Sequence, residues 1–183
     1  MGDKQATPHP SSLAATADEI LKRRAESLAQ ETVDEASRDE IGILLFRLTD
    51  EWYAIEVGDV REIYQEYRIT PIPCVPPFIL GVVNIRGEII SVTDAAKLMR
   101  LGELSAEPGV APAIVVQNDQ CTTAIVVDEI GDIVDVPRDG IEPPLSVMDK
   151  AQAEFVGGSV YLHDRLIGLV SIDRILEPIG AST

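Results

Sequence analysis

The sequence has few of the residues from which active sites are commonly built. It contains two histidines and two cysteines in 183 residues, and neither residue type shows the spacing of a metal-ligand motif. No P-loop, dinucleotide fingerprint, G-x-S-x-G or H-E-x-x-H string occurs in it. We therefore expect neither a catalytic site, nor a metal, nor a cofactor. Catalysis would require residues that lie far apart in the sequence.

Positive charge is also scarce, with 15 Lys and Arg against 31 Asp and Glu, a net charge of −16. Nucleic acids and anionic membranes attract clustered basic residues, so neither is an expected partner. No apolar run approaches the roughly 20 residues that span a bilayer, and Met1 to Pro10 lack the hydrophobic stretch of a secretory signal. We expect a cytoplasmic protein without membrane insertion. There Cys74 and Cys121 would stay reduced, with one disulfide between them as the alternative.

Aromatic residues make up only 4% of the chain, although 45% of it is hydrophobic. A core of Val, Ile, Leu and Ala suits β-strands, because branched side chains pack well on a pleated surface. The predicted fold class is all-β with short helices.

Residues 1–40 form a predicted tail that contains one amphipathic helix. Thr16 and Glu19 have capping-box spacing, and apolar residues recur at helical intervals over about 16–30. This helix would either pack on its own domain or bind a partner.

From Ile41 onward the apolar pattern changes to the period of two that is typical of strands. A linker rich in Glu, Ser, Pro and Gly near 103–112 separates two runs, so we predict subdomains at 41–110 and 111–179, interlocked as one domain. Short helices should follow at 95–101 and 173–177. The predicted strands are 43–48, 53–57, 62–67, 82–86, 88–92, 113–117, 122–127, 132–136, 159–162 and 166–170.

The two runs of strands resemble each other. Residues 54–63 align with 124–133 at an offset of 70, and 88–92 align with 165–169 at an offset of 77. The difference of seven residues falls in a loop that we predict over 143–154. Short strands repeated in this way predict two small barrels of about five strands each.

The hairpin turn at 84–87 is the main candidate site. Gly87 can adopt a positive φ there, and Asn84 can hydrogen-bond the local backbone, so both are interpreted as structural. The guanidinium group of Arg86 can form a bidentate pair with a carboxylate, and Glu62 is its hypothesised partner. The second half carries Tyr161 to Asp164 instead of this turn. A residue needed only for the fold should recur in both halves, so we interpret Arg86 as functional.

Other residues have more ordinary interpretations. Val60 is expected in the core, because valine is more often a core than an interface residue. The prolines at 71–77 form either a rigid connection or a peptide groove. Asp128 and Glu129 are neighbours, so on a strand they would point to opposite faces and could not act on one substrate.

The motifs of residues 53–94, above all Gly81-Val82-Val83-Asn84-Ile85-Arg86-Gly87, resemble those of the CheW family of chemotaxis coupling proteins. The resemblance covers about residues 41–177. It implies two SH3-like five-stranded barrels and an adaptor that couples the cytoplasmic tips of chemoreceptors to the regulatory domain of the histidine kinase CheA. It also implies that Val60, Glu62 and Arg86 contact the receptor or support that contact. The alternative is a small-ligand-binding or enzymatic double-barrel protein.

Overall fold

The computed structural model describes residues 39–144 and 150–180. The predicted helix at 16–30 and the rest of the tail lie outside these residues. The ten strands in the described part are Glu40–Leu48 (β1), Glu51–Glu56 (β2), Val60–Tyr64 (β3), Ile79–Ile85 (β4), Glu88–Asp94 (β5), Ala113–Gln117 (β6), Thr122–Val126 (β7), Glu129–Pro137 (β8), Val156–Leu162 (β9) and Arg165–Val170 (β10).

Three short α-helices accompany these strands, namely Ala95–Leu98 (α1), Lys150–Phe155 (α2) and Ile172–Gly180 (α3). Single 3-10 turns follow β2 at Val57–Asp59 and β8 at Arg138–Gly140. The assignment of 143–154 to a loop was wrong, because α2 begins at Lys150. The helix carries only one buried side chain, Phe155, so it lacks the apolar periodicity by which helices are found in sequences.

The strands form two five-stranded sheets, and each sheet takes strands from both sides of residue 110. The first sheet has the order β8-β1-β2-β10-β9, and the second has the order β3-β6-β7-β5-β4. Strands β1 and β2 therefore belong with the last three strands of the chain, and β6 and β7 belong with β3, β4 and β5.

The sheet orders confirm the internal repeat that the sequence predicted. If β6–β10 are the counterparts of β1–β5, both sheets have the same order of third, first, second, fifth and fourth strand. In both sheets the contact between the second and the fifth strand is parallel, β2 with β10 and β7 with β5. The two halves have thus exchanged their first two strands.

Each sheet is closed by a single bridge at its open edges. Thr70 and Val82 exchange two backbone hydrogen bonds of 2.8 and 2.9 Å in the second sheet, and Glu142 and Ser159 do so at 2.9 and 2.7 Å in the first. A glycine beside each bridge allows this close approach. A Cβ on Gly81 would lie 2.3 Å from the carbonyl oxygen of Thr70, and a Cβ on its counterpart Gly158 would lie 2.8 Å from a methyl of Ile141.

Three apolar clusters hold the described residues together. One fills the interior of the first sheet around Ile43 and Ala54, and another fills the interior of the second around Val92 and Ala124. The third lies between the sheets, where Phe46 joins residues of β6, β7 and α3. Two SH3-like barrels with a shared core are the predicted fold class, and the structure confirms it. Burial of apolar surface contributes roughly 25 cal/mol per Å², so the shared cluster couples the stability of the two barrels.

Candidate functional site

The β4–β5 hairpin has a two-residue turn in which both residues have positive φ. Arg86 has a φ of 51° and Gly87 a φ of 88°, as in a type I′ turn between the paired residues Ile85 and Glu88. The side-chain oxygen of Asn84 accepts a 2.9 Å hydrogen bond from the backbone N–H of Gly87. Asn and Gly suit this backbone, whereas an arginine with positive φ is uncommon. The turn therefore holds its arginine in a conformation that arginine does not itself favour.

Arg86 pairs with Glu62 through two contacts. Its Nη1 donates to Oε1 of Glu62 at 3.2 Å, and its Nη2 lies 3.0 Å from Oε2. The hydroxyl of Tyr64 also donates to Oε2, at 2.6 Å, and this hydrogen bond raises the pKa of Tyr64. The Glu62 side chain is 19% exposed and that of Arg86 is 77% exposed. Glu62 thus orients the guanidinium group from below and leaves most of it open to solvent.

A second ion pair lies beside the first. Nη2 of Arg61 is 2.7 Å from Oε2 of Glu88, the first residue of β5. The hydrogen bond raises the pKa of Arg61 and lowers that of Glu88. Arg61 is the extra residue of a β-bulge, since Val60 pairs with Val116 and Glu62 with Val115. Bulges re-aim side chains, and this one directs Arg61 towards the hairpin.

Val60 lies on the same strand as Glu62 but has different neighbours. It is partly buried and packs against the cluster shared by the two sheets. The structure therefore brings Glu62 and Arg86 together, whereas Val60 lies two residues away and links this strand to the shared core.

The second half of the chain repeats the turn without the ion pair. His163 and Asp164 have φ values of 46° and 61° between the paired residues Leu162 and Arg165. Asp132 is the counterpart of Glu62 and His163 that of Arg86, at offsets of 70 and 77. No ion pair joins Asp132 to His163, both of which the structure describes. The scaffold requires the turn, and only one copy carries the paired arginine.

Tyr64, Arg61 and Glu88 were not singled out in the sequence, although each contacts the site. Arg61 and Tyr64 are on β3. Closure of the second sheet brings β3 next to the β4–β5 hairpin, and this closure could not be predicted from the sequence. The repeat gives a partial signal, because Gly131 replaces Arg61 and Arg165 replaces Glu88 in the other half.

Asp128 has a structural role that the sequence interpretation missed. It directly precedes β8 and is 9% exposed. Its carboxylate accepts backbone N–H groups of Thr49 at 2.6 Å, Ser105 at 2.6 Å and Ala106 at 3.1 Å. Its neighbour Glu129 pairs with Arg47 at 3.0 Å. Both carboxylates therefore make contacts within the fold.

Both cysteines are free and line one groove beside the proline segment, with Ile72, Ile89 and Ile179. Within the described residues, no group of three or more His, Cys, Asp or Glu side chains could hold a metal ion. None of the described helices is long and apolar enough to cross a membrane.

Two interlocked barrels with an exposed, ion-paired hairpin in only one of them define a β-barrel interaction module. Residues 42–179 match the family model of the CheW-like domain. The chain belongs to the CheW-like family.

Known members of the family align over most of the chain. The chemotaxis protein CheW of Rhizobium meliloti is 31% identical over 134 residues, which are 73% of this chain and 85% of the relative. The chemotaxis protein CheW of Klebsiella aerogenes is 31% identical over 149 residues, 80% of this chain and 89% of the relative. The crystal structure of the scaffolding protein TtCheW from Thermoanaerobacter tengcongensis superposes with a TM-score of 0.70 at 28% identity, over 78% of this chain and 97% of that one.

Proposed function

We propose that this protein is a non-enzymatic adaptor of chemosensory signal transduction. It couples the cytoplasmic tips of chemoreceptors, the methyl-accepting chemotaxis proteins, to the histidine kinase CheA. It acts in the cytoplasm and associates with receptor arrays through these partners. Membership of the CheW-like family supports this role, and so do relatives whose names describe chemotaxis and scaffolding.

The ion pair between Glu62 and Arg86 is the observation that carries the receptor assignment. Arg86 keeps most of its surface in solvent while Glu62 fixes its orientation. A guanidinium group held in this way loses little side-chain freedom on binding, which favours affinity for a carboxylate or a carbonyl on a partner. Receptor contact therefore falls on Arg86, with Glu62 as its support. Val60 transmits the contact to the shared core.

The kinase contact falls on other surfaces of the barrels. The resemblance to CheW implies that the regulatory domain of CheA has the same fold and binds at the barrel ends. An adaptor of this kind works by geometry, because it holds receptor and kinase in arrangements whose populations a receptor ligand shifts.

Co-sedimentation of the full chain with CheA and soluble receptor cytoplasmic fragments tests this proposal. We expect a ternary complex for the wild type and loss of receptor binding for Arg86→Gln, which keeps a polar side chain but removes the charge. Exposed ion pairs contribute about 0–1 kcal/mol, so the melting temperature should change little. The matched control is Arg165→Gln, at an exposed arginine beside the corresponding turn. Wild-type protein that binds neither partner would refute the proposed function.

The alternative of a small-ligand-binding or enzymatic double barrel is not favoured by the family comparison. A ligand-induced rise in melting temperature across a metabolite panel would be its signature.

A further inference from the structure

A second arginine faces a groove next to Arg86. The groove runs between β4 and the segment from the end of β3 to Thr70, and its volume is 470 Å³. We call it the Arg68 groove. Its lining residues are Tyr64, Glu66, Tyr67, Arg68, Thr70, Val83, Asn84, Ile85 and Arg86.

The groove lies at the seam where the second sheet closes. Strands β3 and β4 are at opposite ends of the sheet order, so no ladder of hydrogen bonds joins them. The Thr70–Val82 bridge closes the seam on one side and the Glu62–Arg86 ion pair closes it on the other. The space between these two closures is the groove.

The floor of the groove is apolar and firmly held. Tyr64 and Tyr67 pack against the interior cluster of the second sheet, to which Val83 and Ile85 belong. The hydroxyl of Tyr67 donates to the carbonyl oxygen of Ala111 at 2.9 Å. A rigid apolar floor under a few polar groups is typical of binding grooves.

The rim carries the guanidinium groups of Arg68 and Arg86 and the carboxylate of Glu66, and the Glu62 carboxylate that pairs with Arg86 lies at one end of it. Arg68 is exposed, and within the described residues it makes no ion pair or side-chain hydrogen bond. Arg86 points one side of its guanidinium at Glu62 and leaves the rest in solvent. Glu66 is exposed and is the only carboxylate among the residues that line the groove. Placing two arginines on one groove is unexpected in a chain with a net charge of −16.

We propose that the Arg68 groove seats an acidic side chain of the receptor's cytoplasmic tip, with Arg68 and Arg86 on either side of the bound carboxylate. Because it names the chemistry of the receptor contact, this inference rests on the proposed function. Charge complementarity selects the occupant, since Arg68, which has no ion-pair partner among the described residues, binds a carboxylate over the apolar floor better than a neutral or basic group. Arg86 is already paired with Glu62 and adds its solvent-exposed face. Arg68 is then a specificity-determining residue, and Glu66 opposes binding by repelling the incoming acid.

Charge variants test the sign of this interaction. We expect Arg68→Glu to weaken binding to soluble receptor cytoplasmic fragments about tenfold, and Glu66→Gln to strengthen it. Arg165→Glu is the control, at an exposed arginine of the other hairpin that forms no ion pair with any residue the structure describes, and its receptor affinity should equal that of the wild type. Isothermal titration calorimetry at low and at high salt measures all four proteins. The difference between wild type and Arg68→Glu should shrink as salt screens the rim charges.

The outcomes separate the two proposals. Wild type that binds no receptor fragment refutes the proposed function. Wild type that binds together with a folded Arg68→Glu variant of equal affinity refutes the acidic-side-chain inference alone. Tighter binding by Arg68→Glu and weaker binding by Glu66→Gln would show that the groove takes a basic group, and would overturn the inference as well. Circular dichroism of each variant establishes that it is folded.

Discussion

Replacing Asp128 by alanine should destabilise the protein strongly. Its carboxylate joins its own segment to two others that are distant in sequence: the β1–β2 turn through Thr49, and the linker through Ser105 and Ala106. Alanine leaves three backbone N–H groups without their acceptor. Water cannot readily replace it, because the residue is only 9% exposed.

The size of the effect follows from these three hydrogen bonds. A hydrogen bond to a charged group contributes about 1.5–3 kcal/mol. The three bonds share one carboxylate and are not additive. We therefore expect Asp128→Ala to lower the free energy of unfolding by about 3–6 kcal/mol, a large part of the about 5–15 kcal/mol typical of a domain. Asp128→Asn keeps one acceptor oxygen and should lose about half as much.

Urea unfolding, monitored by circular dichroism and extrapolated linearly to water, measures these differences. The matched control is Glu129→Ala, the neighbouring carboxylate, whose exposed ion pair with Arg47 should contribute less than about 1 kcal/mol. If Asp128→Ala cost no more than Glu129→Ala, with the same dependence on urea, the role given to this carboxylate would be refuted.

Two further predictions concern the fold. Gly81→Ala should lower the free energy of unfolding by about 3 kcal/mol or more, because a Cβ there would clash with the Thr70 carbonyl and φ is +145°. The control Gly58→Ala, with nothing within 4 Å of the added Cβ, should change the free energy of unfolding little. A melting temperature that is unaffected in both variants would contradict closure of the second sheet at Gly81. The pKa of Asp59 is raised by burial and by nearby Glu56 and Asp173, so its ionised form destabilises the fold above that pKa. Asp59→Asn should therefore raise the melting temperature at pH 7 more than the exposed control Asp119→Asn does, and the gain should vanish as the pH falls through the raised pKa towards 3.8. A constant gain at all pH values would exclude this electrostatic cause.

The sequence predicted the strands and the repeat well, because both depend on local patterns. Alternation of apolar residues marks a half-buried strand wherever it lies, and the repeat offsets of 70 and 77 needed no structure. Helix α2 was missed because it buries only Phe155 and so lacks a periodic apolar face.

Which strands pair in each sheet could not be predicted in the same way. The pattern predicts β1 and β2 as strands, but the side chains of Ile43 and Ala54 would be equally apolar in either sheet. Only long-range packing decides that these strands join β8, β9 and β10. Contacts that depend on this choice were therefore beyond the sequence, including the three hydrogen bonds to Asp128.

The candidate site lies between these two cases. Arg86 was found because the repeat does not duplicate it, and its pairing with Glu62 was a hypothesis about side-chain chemistry. The two residues are 24 positions apart, and their meeting depends on closure of the second sheet. Arg68 gave no signal in the sequence, since an exposed arginine gains meaning only when β4 lies opposite it.

The exchange of strands also explains how one fold can present two different ends to its partners. Both barrels have the same strand order, the same closing bridge and a glycine at the same place, so their backbones are nearly equivalent. At one seam the turn carries Arg86, which pairs with Glu62, and at the other it carries His163, which forms no ion pair with Asp132 in the described structure. Because the shared core sets the closure of both seams, substitutions at the turns can change partner chemistry at one end without altering the other. An adaptor that must bind two unlike partners requires this independence.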